Sequence, residues 1–115
     1  MSNATRSLRT ALVFAALGDP TRLALVSRLS RDGPASIASL TAGTGITRQA
    51  VSKHLEVLAE SGLVRGSRRG RERMWEFRRA PIDDARAQLE RISAQWDDAI
   101  ERLRALVESE PASPD

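Results

Sequence analysis

Ile82, Ala85, Leu89, Ile92, Trp96, Ala99, Leu103 and Leu106 recur at intervals of 3-4-3-4-3-4-3. Such spacing is a heptad-like seam along one side of a helix. The helix it predicts has about 26 residues and a length of ~39 Å at 1.5 Å per residue. A chain of 115 residues has the core of one modest domain, and its first helix can cover only part of such a seam. The alternative is a helix packed wholly within its own domain. The seam therefore calls for a partner, and a second copy of the chain is the simplest one.

The segments before the seam alternate helices with turns. Residues 5–17 form a first helix with Leu8, Leu12 and Ala15 on one side, and Ala11, Phe14 and Leu17 beside them. Asp19 is a good N-cap and Pro20 suits a first helical turn. A second helix follows to Gly33-Pro34, with Leu23, Val26 and Leu29 or Leu25 facing inward. Ile37 and Leu40 are one turn apart in a short third segment, and Gly43 and Gly45 bracket a tight turn. Thr47 caps a strong helix of about fifteen residues with Ala50, Val51, Leu55 and Leu58 on its buried side, and Gly62 ends it. "LVRGSRRGRERMWEF" predicts a β-hairpin with Gly70 near its tip and Trp75 and Phe77 on one face. The expected architecture is mainly α with a small β-hairpin: a winged helix-turn-helix of about five helices and a two-stranded wing. Residues 1–7 are expected as a flexible tail, 8–107 as the domain, and 108–115 as a disordered tail.

Charge is distributed along this order. Residues 45–80 carry nine Arg or Lys against four Glu, a net of +5, whereas residues 81–115 carry four Arg against nine acids, a net of −5. A basic middle points to a polyanion partner for that part. The chain has no cysteine and one histidine, His54. Disulfides, thiolate metal sites and cysteine nucleophiles are excluded. Any imidazole chemistry has to use His54, so enzyme activity is not expected. No apolar run is long enough to span a membrane. The N-terminus lacks the apolar stretch of roughly 7–15 residues that marks a signal peptide, so a cytoplasmic location without a membrane partner is the default expectation.

A short helix, a glycine turn and a second amphipathic helix make a helix-turn-helix, whose second helix enters the major groove of double-stranded DNA by its N-terminal part. The early, outward residues are Thr47, Arg48, Gln49, Ser52 and Lys53. Arg48 can donate twice to guanine O6 and N7, and Gln49 can pair with adenine N6 and N7. These two are the expected base-reading residues. Thr47, Ser52 and Lys53 suit phosphate contacts that set register, and His54 is placed with them as a backbone or packing contact. Taken alone, this stretch could be only a capped, solvated helix face. The arginine hairpin that follows favours DNA. Arg68, Arg69, Arg71 and Arg73 in the wing would release counterions from a duplex, and an arginine at the tip can enter a narrow minor groove. The bland reading of that run is a solubilising one. Aromatics are only 3% of the chain, too few for a surface that stacks single-stranded bases.

"LGDPTRLALVSRL", "ITRQAVSKHLEVLAESGLV" and "RRGRERMWEF" together resemble the ArsR/SmtB family of bacterial winged helix-turn-helix repressors, over roughly residues 8–107. The resemblance implies promoter occupancy and repression by a homodimer whose first and last helices pair across a two-fold axis. Leu8, Leu12, Leu89, Ile92, Trp96 and Leu103 are then interface residues. Many relatives sense metals through cysteines near the short helix or through Asp, His and Glu on the last helix. Here the short helix has neither cysteine nor histidine, and the last helix has Asp83, Asp84, Asp97 and Asp98 but no histidine. Asp83 and Asp84 fit a first turn, where carboxylates offset the helix dipole. The pattern resembles a metal-independent branch, with no cofactor, an effector not identified by the sequence, and the regulator's own gene often among its targets. Thr44 stands where relatives usually have Leu, which implies a loosely packed short helix. A winged-helix module that has lost DNA binding and docks another protein is the competing reading. The tyrosine-free, basic wing argues against it.

Overall fold

The structure, a computed structural model, describes residues 3–109. Helix α1 runs Asn3–Leu17, α2 Pro20–Asp32, α3 Ile37–Ala42, α4 Arg48–Glu60 and α5 Ala80–Ser109. Strand β1 is Ala35–Ser36, β2 Val64–Arg69 and β3 Glu72–Phe77. The five helices and the hairpin agree with the expected winged architecture. The termini differ: α1 reaches Asn3 and α5 continues to Ser109, so residues 3–7, 108 and 109 are helical where tails were expected. The remainder of the expected C-terminal tail lies outside the described residues.

The chain divides into two units, Met1–Ala85 and Arg86–Asp115. In the first, Leu25, Leu29, Leu40, Val51, Leu55, Leu58 and Leu63 are fully buried, with Val13, Ala16, Val64, Trp75 and Ala85 around them. All but Leu63, which lies in the turn between α4 and β2, come from a helical stripe or from the inward face of a strand. Helix α4 contributes Val51, Leu55 and Leu58, spaced 4 and 3, as an amphipathic helix requires.

One inward assignment changes. On α2 the buried residues are Leu25, Val26 and Leu29, and Leu23 is half exposed. Leu23 lies roughly a third of a turn off the centre of that stripe. On α1 the core takes Thr10, Val13 and Ala16, small enough for close helix packing, while Leu8 and Leu12 are exposed.

The wing has a third strand that the sequence did not announce. The sheet order is β1-β3-β2, all antiparallel, with Ala35 opposite Trp75 and Ser36 opposite Met74. Two residues are too few to show a strand's alternation. Pro34 biases the chain toward extended backbone there, and Ser36 then caps α3 by accepting from the Ser39 N–H at 3.2 Å. The short helix is better anchored than expected. Leu40 is fully buried, and the Thr44 hydroxyl donates to the Thr41 carbonyl at 3.0 Å.

The end of α4 fixes how the wing leaves it. Gly62 adopts φ +82°, its N–H donates to Ala59 and the Leu63 N–H donates to Leu58, each at 3.0 Å. This is a Schellman ending with its apolar contact supplied by the buried Leu58 and Leu63. Any side chain at residue 62 would be strained in that conformation. The second unit, residues 86–109 of α5, is one exposed helix. No helix among the described residues is long and apolar enough to cross a membrane.

Candidate nucleic-acid interface

Thr47 stands at the start of α4 in extended conformation, and its hydroxyl oxygen accepts from the Ala50 N–H at 3.1 Å. That cap leaves the hydroxyl hydrogen available to an outside acceptor. No acidic residue lies in the first turn of α4, so the positive end of the helix dipole is uncompensated by the chain. Arg48, Gln49 and Lys53 are exposed, and Ser52 is half-buried. Among the described residues, no hydrogen bond or ion pair engages the side chains of Arg48, Gln49 or Lys53.

Further along the same outward side stand Glu56 and Glu60, both exposed. At 100° per residue they align with Gln49 and Lys53. The outward face is therefore cationic and amide-bearing in its first two turns and acidic in its last two. A polyanion at this face would be attracted by the first half and repelled by the second. The acidic half was in the quoted motif, and a helical wheel of it would have revealed the polarity.

His54 sits elsewhere. Its Nδ1 is 3.4 Å from Arg22 Nη1 and 3.9 Å from Asp19 Oδ2, and the residue is only partly exposed. It faces the start of α2, away from the side that carries Gln49 and Lys53. Asp19 accepts from the Arg22 N–H at 2.9 Å. That backbone hydrogen bond, with the Arg22 guanidinium nearby, holds its carboxyl below the ordinary value of 3.8.

The wing closes through Gly70 and Arg71 between the paired Arg69 and Glu72. Gly70 has φ +62° and, among the described residues, no non-glycine residue has positive φ, the pattern of a type II′ turn. Arg68, Arg69 and Arg71 are exposed, and none of the three is engaged by a hydrogen bond or ion pair among the described residues. Arg68 lies directly across the ladder from Arg73. Like charges in that relation destabilise a sheet unless an anion joins them. Arg73 is also partly committed, because its guanidinium stacks 4.6 Å from the centre of the Trp75 ring. Arg65 is paired with Glu76 and is not part of the free basic surface. Trp75 is buried and its indole N–H has no partner among the described residues, as suits an anchor under the wing and not a stacking platform.

The expected interface residues are all exposed. Leu8 is 63% exposed, Trp96 66% and Leu103 62%. Leu12, Leu89 and Ile92 are about half exposed. At the start of the α5 seam, Ile82 and Ala85 pack against the core. Among the acidic residues of α5, Asp83 pairs with Arg79 at 3.2 Å. The described residues contain no group of three or more His, Asp or Glu that could hold a metal ion.

A helix-turn-helix domain model matches residues 17–67, the stretch from the end of α1 into the wing. The uncharacterized HTH-type transcriptional regulator YuzN of Bacillus subtilis is 38% identical over 76 residues, covering 61% of this chain and 83% of its own. An ArsR-like transcriptional regulator from Rhodococcus superposes with a TM-score of 0.80 at 36% identity, over 90% of this chain and 97% of its own. A homodimeric winged helix-turn-helix DNA-binding domain from Mycobacterium bovis, described as a possible ArsR-family regulator, superposes with a TM-score of 0.61 at 26% identity, over 83% of this chain and 88% of its own.

Proposed function

The chain belongs to the ArsR/SmtB family of winged helix-turn-helix transcriptional regulators, and we propose that it is a homodimeric repressor that occupies a promoter operator without sensing a metal. The observation that carries this reading is the pairing of an unengaged Arg48, Gln49 and Lys53 on the first turns of α4 with an unengaged Arg68, Arg69 and Arg71 on the wing. In the proposal Arg48 and Gln49 read base edges in the major groove. Thr47, Ser52 and Lys53 hold phosphates, and the wing arginines neutralise the flanking backbone or enter the minor groove.

Dimerisation is supported by the bare apolar stripes. Leu8 and Leu12 on α1, and Leu89, Ile92, Trp96 and Leu103 on α5, are too exposed for residues of their type to be left to water in the working state. The Mycobacterium bovis neighbour is homodimeric by its description. A two-fold dimer reads a near-palindrome with half-sites about 10–10.5 bp, or a multiple, apart. Metal independence is supported by the absence of cysteine from the sequence and by the cation beside its one imidazole.

The test is a fluorescence-anisotropy titration against the DNA upstream of the protein's own gene and a scrambled duplex, at two salt concentrations. Tight, salt-sensitive binding that prefers the native duplex is expected. Equal binding to both duplexes would remove sequence-specific repression at that promoter. No binding at either salt would remove the DNA reading and favour a protein-docking module.

A further inference from the structure

Arg22 touches three helices at once. Its backbone N–H is the group that Asp19 caps at the start of α2. Its Nε donates to the Ala16 carbonyl at 2.7 Å, and Nη2 reaches the Ala15 carbonyl at 3.4 Å. Both carbonyls lie in the last turn of α1; that of Ala15 also accepts from the Gly18 N–H at 3.2 Å, whereas that of Ala16 has no donor four residues on, because Pro20 has no N–H. A cation there also faces the negative end of the α1 dipole. Its third nitrogen, Nη1, lies 3.4 Å from His54 Nδ1 in the middle of α4. An arginine has no acceptor, so this contact requires Nδ1 to accept and the imidazole proton to sit on Nε2.

We propose that Arg22, acting through His54, is the positioning residue that sets the rotation of α4 about its own axis, and thereby the aim of Arg48 and Gln49. The proposal rests on the DNA-reading role assigned to α4. Its physical basis is a difference between two kinds of contact. Val51, Leu55 and Leu58 hold α4 to the core, but apolar burial is non-directional. A helix so held can roll by a few degrees at little cost. Side-chain atoms stand about 6 Å from the axis, so a roll of about 10° moves a reading group by ~1 Å. Hydrogen bonds to base edges span only about 0.5 Å in length between good and poor. A directional tie on α4 is therefore needed, and His54 is the residue of α4 that carries a polar side-chain link to another helix among the described residues. The fork geometry of guanidinium allows one side chain to fix all three elements, which an ammonium could not do. Because two of its bonds end on α1, whose exposed Leu8 and Leu12 are proposed interface residues, Arg22 also links the dimer helix to the reading helix.

The test uses full-length Arg22→Ala, Arg22→Lys, His54→Ala and His54→Asn chains, and the Arg22→Ala/His54→Ala double variant. Two readouts are taken: operator affinity against salt, and hydrogen exchange of the α4 amides in the free protein. His54→Asn keeps an acceptor near the position of Nδ1 and is expected to stay close to the wild type in both. Arg22→Ala and His54→Ala are each expected to lose about tenfold in operator affinity, with the salt slope unchanged and faster exchange over 48–60 but not over 86–109. Arg22→Lys is expected to resemble Arg22→Ala. The double variant is expected to be little worse than either single one, because coupled partners are not additive. A salt slope reduced by about one in Arg22→Ala would mean a direct phosphate contact and overturn the proposal. So would additive losses, or unchanged α4 exchange. If the wild type bound no duplex, the exchange arm would still decide whether Arg22 orders α4, and the failure would belong to the DNA reading alone.

Discussion

Helices α4 and α5 have the same apolar periodicity and opposite fates. In α4 the stripe Val51, Leu55, Leu58 is fully buried within its own unit. In α5 the stripe continues from the covered Ile82 and Ala85 into Leu89, Ile92, Trp96, Leu103 and Leu106, all at least half exposed. The polar faces differ as well. That of α4 carries donors without partners, whereas that of α5 is laced with local pairs such as Arg86–Glu90 at 3.1 Å and Arg104–Glu101 at 3.7 Å. One helix buries its apolar side within its own unit and leaves the polar side of its first turns unengaged among the described residues. The other pairs much of its polar side locally and leaves most of its apolar side exposed. Periodicity shows that a face will be covered, and only its surroundings show by what.

The largest effect that tests this contrast is expected at Leu55. Leu55→Ala removes a fully buried side chain and is expected to cost about 2–5 kcal/mol of stability, seen as a fall in the urea midpoint that does not depend on protein concentration. Leu103→Ala is expected to cost about 3 kcal/mol of dimer, since two copies lose part of a buried leucine. Sedimentation equilibrium reads that loss, and the melting temperature is expected to fall most at low protein concentration. A concentration-independent loss at Leu103 would mean that α5 is covered by its own chain.

On the polar side the effects are smaller and divide by role. Arg48→Ala is expected to lose about 1–3 kcal/mol of discrimination at one position of each half-site, measured on a panel of single-base operator variants. Arg71→Ala is expected to weaken all duplexes about equally and to lower the salt slope by about one. If the two variants gave the same profile, the division between reading helix and wing would be wrong.

The smallest effect concerns Asp19. Its carboxyl lies below the ordinary value of 3.8 in the folded chain, chiefly through the Arg22 backbone hydrogen bond. A depressed folded value means that its contribution is complete above the unfolded value and is lost as pH falls through and below it. Asp19→Asn keeps a capping oxygen. It is expected to flatten the stability loss below about pH 4 while changing little at pH 7, as followed by thermal denaturation across that range.

The sequence by itself determined the elements and their order. Caps such as Thr47 and Asp19, the glycine at 62 and the turn at Gly70 act over two to five residues, so each was legible where it stood. The outward set on α4 and the seam on α5 were legible for the same reason, since a helix's faces follow from spacing alone. Strand β1 was not, because two residues carry no alternation and its pairing with β3 joins residues some forty positions apart. Nor was the tie of His54 to Arg22, 32 residues away. That depends on how helices cross, and the crossing is set by the whole core. Local chemistry names the parts that can touch DNA, and packing alone decides which way they point.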